Sequence, residues 1–180
     1  QVIHRDLKPG NIFLTDGADG AETKVLDSGP VNPAGVDTRH PLTMTGATLG
    51  TVSYMSPEQI ADAQRVDHRT DLWSIAVIAY ECLTGRRPFR GDSLLEPIHE
   101  ICYSAPVAPS RLASVPPGFD AWFTRATQRD RDHRFSTARD LIDALKLLGQ
   151  PVAAAGPGRR ADTKIDASHS WASVANQIDI

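Results

Sequence analysis

Apolar positions are densest between Leu72 and Leu83. There Leu72, Trp73, Ile75, Ala76, Val77, Ile78, Ala79, Tyr80, Cys82 and Leu83 leave almost no polar face. A helix that is apolar all round belongs at the centre of a fold rather than on its surface. Thr70-Asp71 opens this helix and Gly85 stops it. Weaker helical periodicity runs from Ser93 to Tyr103, interrupted by Pro97. After Pro116-Pro117, the residues Phe119, Trp122, Phe123 and Ala126 recur at helical spacing. Ser136 is the expected N-cap of a last helix, with Ala138, Leu141, Ile142, Leu145 and Leu148 inward and Gly149 as its stop.

The first quarter of the chain has a different texture. Asn11-Ile12-Phe13-Leu14 and Thr23-Lys24-Val25-Leu26 read as short strands separated by the polar stretch Thr15 to Ala21, which predicts a small hairpin. From Ser28 to Ser53 no period is visible and Gly, Pro and Thr abound. Loops of that length are usually functional or mobile. Beyond Gln150 an Ala/Gly/Pro-rich run reads as linker. The expected fold is therefore α+β and mainly α, with one buried central helix and a short β-hairpin. Residues 1–149 are expected to form the domain, and 150–180 a linker and tail.

Composition changes this picture only by exclusion. Nineteen Lys and Arg against 22 Asp and Glu give a net charge of −3, which offers no electrostatic case for nucleic acid or a membrane surface. Cys82 and Cys102 have neither metal-ligand nor redox spacing, and Cys82 inside its apolar run reads as a small buried thiol, fitting a reducing cytoplasm. The six histidines are scattered, without the Cys/His clustering of a zinc site. The longest apolar stretch is too short and too interrupted to span a bilayer.

Candidate chemistry begins at His4-Arg5-Asp6-Leu7-Lys8-Pro9-Gly10-Asn11. A carboxylate and a carboxamide on one turn-rich loop can face a nucleophile and a metal together, and Lys8 adds positive charge beside them. Asp27-Ser28-Gly29 follows a predicted strand, and Gly50-Thr51-Val52-Ser53-Tyr54-Met55-Ser56-Pro57-Glu58 closes the long loop. Asp71-Leu72-Trp73-Ser74 opens the central helix, and Asp132-His133-Arg134-Phe135 lies near the end.

In this order the motifs resemble those of the eukaryotic-like serine/threonine protein kinases, in the style of bacterial members. The first resembles the catalytic loop H-R-D-x-x-x-x-N, the second the metal-binding D-F-G, and the third the end of the activation segment. The resemblance implies the C-terminal lobe of a kinase domain without the N-terminal lobe, a fragment expected to be inactive alone. It implies ATP and Mg2+ as cofactors and protein Ser/Thr hydroxyls as substrate, in signalling. Asp6 would handle the substrate proton, with Lys8 and Thr51 beside it, and Asn11 and Asp27 would hold the metal. Asp71 would fix the catalytic loop. Glu58 would pair with a buried arginine, for which Arg134 is the match. Arg5 would meet a phosphate on Thr43, Thr45 or Thr48. Ser28 departs from the family's Phe, which packs under His4, and on that ground a pseudokinase-like interaction module is the alternative. A small-molecule phosphotransferase is disfavoured by the Gly50 to Glu58 segment. No membrane segment is expected in this chain, although bacterial relatives often continue into a membrane span and sensor.

Overall fold

The computed structural model describes residues 3–17, 20–26 and 49–149. In chain order these form strands β1 (Ile12–Gly17) and β2 (Gly20–Val25). Helices α1 (Leu49–Val52), α2 (Pro57–Ala61), α3 (Arg69–Thr84), α4 (Leu95–Tyr103), α5 (Phe119–Ala126) and α6 (Ala138–Leu148) follow. The strands pair antiparallel with Ile12 opposite Val25 and Gly17 opposite Gly20, so the predicted hairpin is present. It starts one residue later than the sequence indicated, because Asn11 closes a 3-10 turn over Pro9–Asn11.

Helix α3 is the axis of the fold. Thr70 and every residue from Leu72 to Tyr80 are buried, so the helix is enclosed on all sides through its first three turns. Trp73 stacks on Phe89 at 5.6 Å between ring centroids, and Tyr80 meets Phe123 of α5 at 4.8 Å. Gly85 ends the helix at φ 71°, a left-handed conformation cheap only for glycine, and its N–H bonds back to the Glu81 carbonyl. The last turn emerges from the core, which leaves Cys82 exposed and corrects the expectation of a buried thiol.

The remaining helices are arranged by their apolar stripes. Phe119, Trp122, Phe123 and Ala126 of α5 are all buried, as their spacing predicted. Leu141, Ile142 and Leu145 of α6 face the same core, and the Trp122 indole donates to the Leu141 carbonyl at 2.9 Å. The N-cap of α6 is Thr137, not Ser136: the Thr137 hydroxyl accepts from the Asp140 amide at 3.1 Å. Pro97 does not break α4, because it sits in the first turn, where an intrahelical N–H partner is lacking anyway. At the other end of α4, the Arg129 guanidinium donates to the carbonyls of Glu100, Ile101 and Ser104. The Glu100 carbonyl already accepts from the Ser104 amide at 3.0 Å, so Arg129 adds donors at the end of the helix where intrahelical N–H groups run out, and the cation also suits that end of its dipole. Among the described residues no helix is long and apolar enough to cross a membrane.

One buried ion pair ties distant segments together. Arg134 has a side chain with 0% exposure and meets Glu58 of α2 in two parallel contacts of 2.7 Å. Its other donors reach the carbonyls of Gln128, Arg69 and Arg129 at 2.6, 3.1 and 3.2 Å. All five guanidinium N–H groups are thereby used, which is what makes burial of this cation tolerable. The guanidinium also lies 5.0 Å from the Trp73 ring centroid. Beside it, Arg69 grips Asp67, and that hydrogen bond holds the Asp67 carboxyl down at about 2.

Glu58→Ala would strand the Arg134 cation in the interior. The expected loss of unfolding free energy is about 3–5 kcal/mol, read from the urea midpoint; a loss below 1 kcal/mol would place the pair among weak surface contacts.

Candidate active site

Leu7 is the anchor of the first motif, with 5% of its surface exposed and its side chain in the core around α3. Asp6 and Lys8 flank it and stay about one-third exposed, with side-chain exposures of 34% and 28%. The Pro9–Asn11 turn then returns Asn11 to Asp6. The Asn11 carboxamide donates to the Asp6 carbonyl at 2.7 Å and to Asp6 Oδ2 at 3.1 Å. Lys8 Nζ lies 3.0 Å from the same Oδ2 and donates to the Thr51 hydroxyl of α1 at 3.1 Å. One oxygen of Asp6 is thus held by an ammonium and an amide. No hydrogen bond is made to the other, Oδ1, among the described residues.

The backbone beneath these side chains is held as firmly. Asp71, in the first turn of α3, accepts the His4 N–H on Oδ2 and the Arg5 N–H on Oδ1, both at 2.9 Å. Arg5 has φ 66°, a left-handed conformation that costs an L-residue about 1–2 kcal/mol. Its carbonyl accepts from the Gln59 carboxamide at 2.7 Å. The His4 ring touches the Asp6 amide through Nδ1 at 3.3 Å and the Leu26 carbonyl through Nε2 at 2.9 Å. An amide can only donate and a carbonyl only accept, so in this network His4 accepts at Nδ1 and donates from Nε2. Through it the end of β2 is tied to the loop.

His4, Arg5, Asp6, Lys8, Asn11, Thr51 and Asp71 are therefore gathered at one place. Glu58 and Arg134 form the separate clamp described above. Asp27, Ser28, Thr43, Thr45 and Thr48 lie outside the described residues. Among the described residues no group of three His, Cys, Asp or Glu side chains forms a metal site. The Asn11 carboxamide nonetheless fits a hard cation: its nitrogen is engaged with Asp6, leaving its oxygen as the remaining donor, the atom type Mg2+ takes.

Two residues were missed by sequence reasoning. Gln59 had a visible signal, since Ser56-Pro57-Glu58-Gln59 has the S-x-x-Q form of a capping box, which the structure contains in full. Tyr54 had none. Its buried hydroxyl donates to Glu81 at 2.5 Å, and burial, with the Glu81 hydrogen bond and charge, raises the phenol far above its ordinary range.

The protein kinase domain profile matches residues 1–145, and the chain belongs to that family, whose members are ATP-dependent enzymes. It is 40% identical over 141 residues to the serine/threonine-protein kinase PknB of Mycolicibacterium smegmatis, covering 78% of this chain and 22% of that protein. It is 36% identical over 153 residues to the serine/threonine-protein kinase PknL of Mycobacterium tuberculosis, covering 84% and 37%. A third relative, the serine/threonine-protein kinase pkn2 of Myxococcus xanthus, is 35% identical over 160 residues, covering 87% and 19%. The chain thus spans between about a fifth and somewhat more than a third of the length of these relatives.

In Asp71→Asn one carboxylate oxygen becomes an NH2 group facing a backbone donor. Losing a charge-assisted bond of about 1.5–3 kcal/mol should speed amide exchange at His4 and Arg5 roughly ten- to hundredfold. Unchanged exchange would remove Asp71 as the anchor of the loop.

Proposed function

We propose that this chain is the C-terminal, substrate-binding lobe of a serine/threonine protein kinase that phosphorylates Ser/Thr hydroxyls of protein substrates in signalling. The observation that carries the reading is the Asp6 carboxylate, with Oδ2 gripped by Lys8 and Asn11 and its backbone locked from below. Such an arrangement gives a carboxylate one fixed orientation, with Oδ1 making no hydrogen bond among the described residues. When bound, Mg2+·ATP supplies the transferable γ-phosphoryl group and neutralises its charge.

The chain's own residues then have distinct tasks. Asp6 Oδ1 orients the substrate hydroxyl and takes its proton as the hydroxyl oxygen bonds to phosphorus and ADP departs. Lys8, held in place by Thr51, presents a positive charge next to that exchange. Asn11 offers its carboxamide oxygen to the metal, and Asp27 is the proposed second ligand. The residue before Asp27 supports this pairing, because the Leu26 amide donates to the Asn11 carbonyl at 2.8 Å. The Gly50 to Glu58 stretch reaches Lys8 through Thr51, α3 through the Tyr54 carbonyl that accepts from Ser74, and Arg134 through Glu58, as a platform for a peptide substrate would require.

In the full-length protein, Asp6→Asn should lower kcat by about 10²–10⁴-fold with the KM for ATP little changed. Asp27→Asn should raise the Mg2+ concentration needed for half-maximal rate. Steady-state assays with a Ser/Thr peptide decide both; near-full activity in Asp6→Asn removes the reading.

Arg5 is exposed, and it fits a partner phosphate on Thr43, Thr45 or Thr48. A phosphate carries roughly −1.5 to −2 charges and pairs strongly with a guanidinium. Phosphopeptide mass spectrometry of active enzyme should find at least one of the three modified; full activity with all three bare contradicts this control.

A further inference from the structure

Gln59 makes contacts in two directions. Its carboxamide oxygen accepts from the Ser56 amide at 3.1 Å, and its own amide donates to the Ser56 hydroxyl at 3.3 Å, closing the N-terminus of α2. Its carboxamide nitrogen reaches the other way, to the Arg5 carbonyl at 2.7 Å. The orientation of the group is forced: a flipped amide would set NH2 against N–H at Ser56 and oxygen against oxygen at Arg5. The Arg5 carbonyl belongs to the peptide plane that ends in the Asp6 amide, and that amide contacts His4 Nδ1 at 3.3 Å. The plane is thus held at both poles, one of them by Gln59. A helix cap alone would require only the oxygen of Gln59.

We propose that Gln59 is a positioning residue that sets the peptide plane between Arg5 and Asp6, and so couples the seating of the α2 N-terminus to the aim of the Asp6 carboxylate. The role rests on the reading of Asp6 as the group that faces the substrate hydroxyl. Residues 51 and 59 then grip the loop on either side of Asp6, Thr51 through Lys8 and Gln59 through Arg5. If the segment is displaced, both holds are released together.

The test is Gln59→Glu in the full-length protein. Glutamate keeps the acceptor for the Ser56 amide, the usual capping-box residue, and replaces the donor to Arg5 by an oxygen. The expected result is an unchanged melting temperature and a kcat lowered about 10- to 100-fold. The KM for ATP and peptide should stay within about twofold, and amide exchange at Asp6 should be faster. In an Asp6→Asn background the same substitution should lower the rate no further, since the group it aims is already gone. Gln59→Ala, lacking cap and donor, should lose melting temperature as well as kcat. Wild-type kcat and wild-type Asp6 exchange in Gln59→Glu would overturn the proposal and leave Gln59 a helix cap. If Asp6→Asn itself is fully active, the reading of Asp6 falls separately. Exchange at the Asp6 amide then decides the role of Gln59: faster exchange in Gln59→Glu supports the hold and unchanged exchange overturns it.

Discussion

A single carboxylate, that of Asp71, joins the chemistry of this domain to its core. It stands in the first turn of the most buried helix and receives the amides of His4 and Arg5, one on each oxygen. The positive end of the helix dipole favours a negative charge there, so the anchor is stabilised from its own side as well as by its partners. What lies above depends on it. The left-handed turn at Arg5, the His4 bridge to Leu26 and the orientation of Asp6 all follow from the two amides it fixes. Strain of this kind persists only where the surroundings over-determine it, and here the neighbouring carbonyl is also held.

Arg134 does for the platform what Asp71 does for the loop. Its five donors meet one carboxylate and three carbonyls, so it fixes main-chain positions of the α3 entrance and of 128–129 as well as Glu58. The two anchors differ in kind. Asp71 is a buried-side acceptor for amides of a partly exposed loop, whereas Arg134 is a wholly enclosed cation that would be intolerable with any donor unmet. Both act from the same helix end, since Arg69 and Asp71 are two residues apart. The loop and the platform therefore share one foundation.

Much of this was legible in the residues. The enclosed helix, the hairpin and the stripes of α5 and α6 follow from period and run length, which depend only on side-chain polarity along the chain. The motifs around Asp6, Asn11, Glu58 and Asp71 gave the candidate site because their spacing is set by chemistry. Contacts between polar side chains and backbone carbonyls were less visible. Gln59 to Arg5 and Arg129 to α4 link residues 54 and 25 to 29 positions apart through groups that every residue carries, and no pattern of residue types announces them. Cap placement at Thr137 rather than Ser136 turned on one residue of register. The exposure of Cys82 turned on where the last turn of α3 leaves the core, which polarity alone does not set.

The grip of Arg129 on α4 has an evolutionary corollary. The guanidinium donates to the carbonyl oxygens of Glu100, Ile101 and Ser104, so this fastening is blind to which side chains the helix carries. Leu95 and Tyr103 on that helix are 65% and 76% exposed and take no part in it. The outward face of α4 can therefore be rewritten between paralogues without loosening that attachment. Substitution at Leu95 or Tyr103 is uncoupled from the hold that Arg129 exerts on the backbone beneath them.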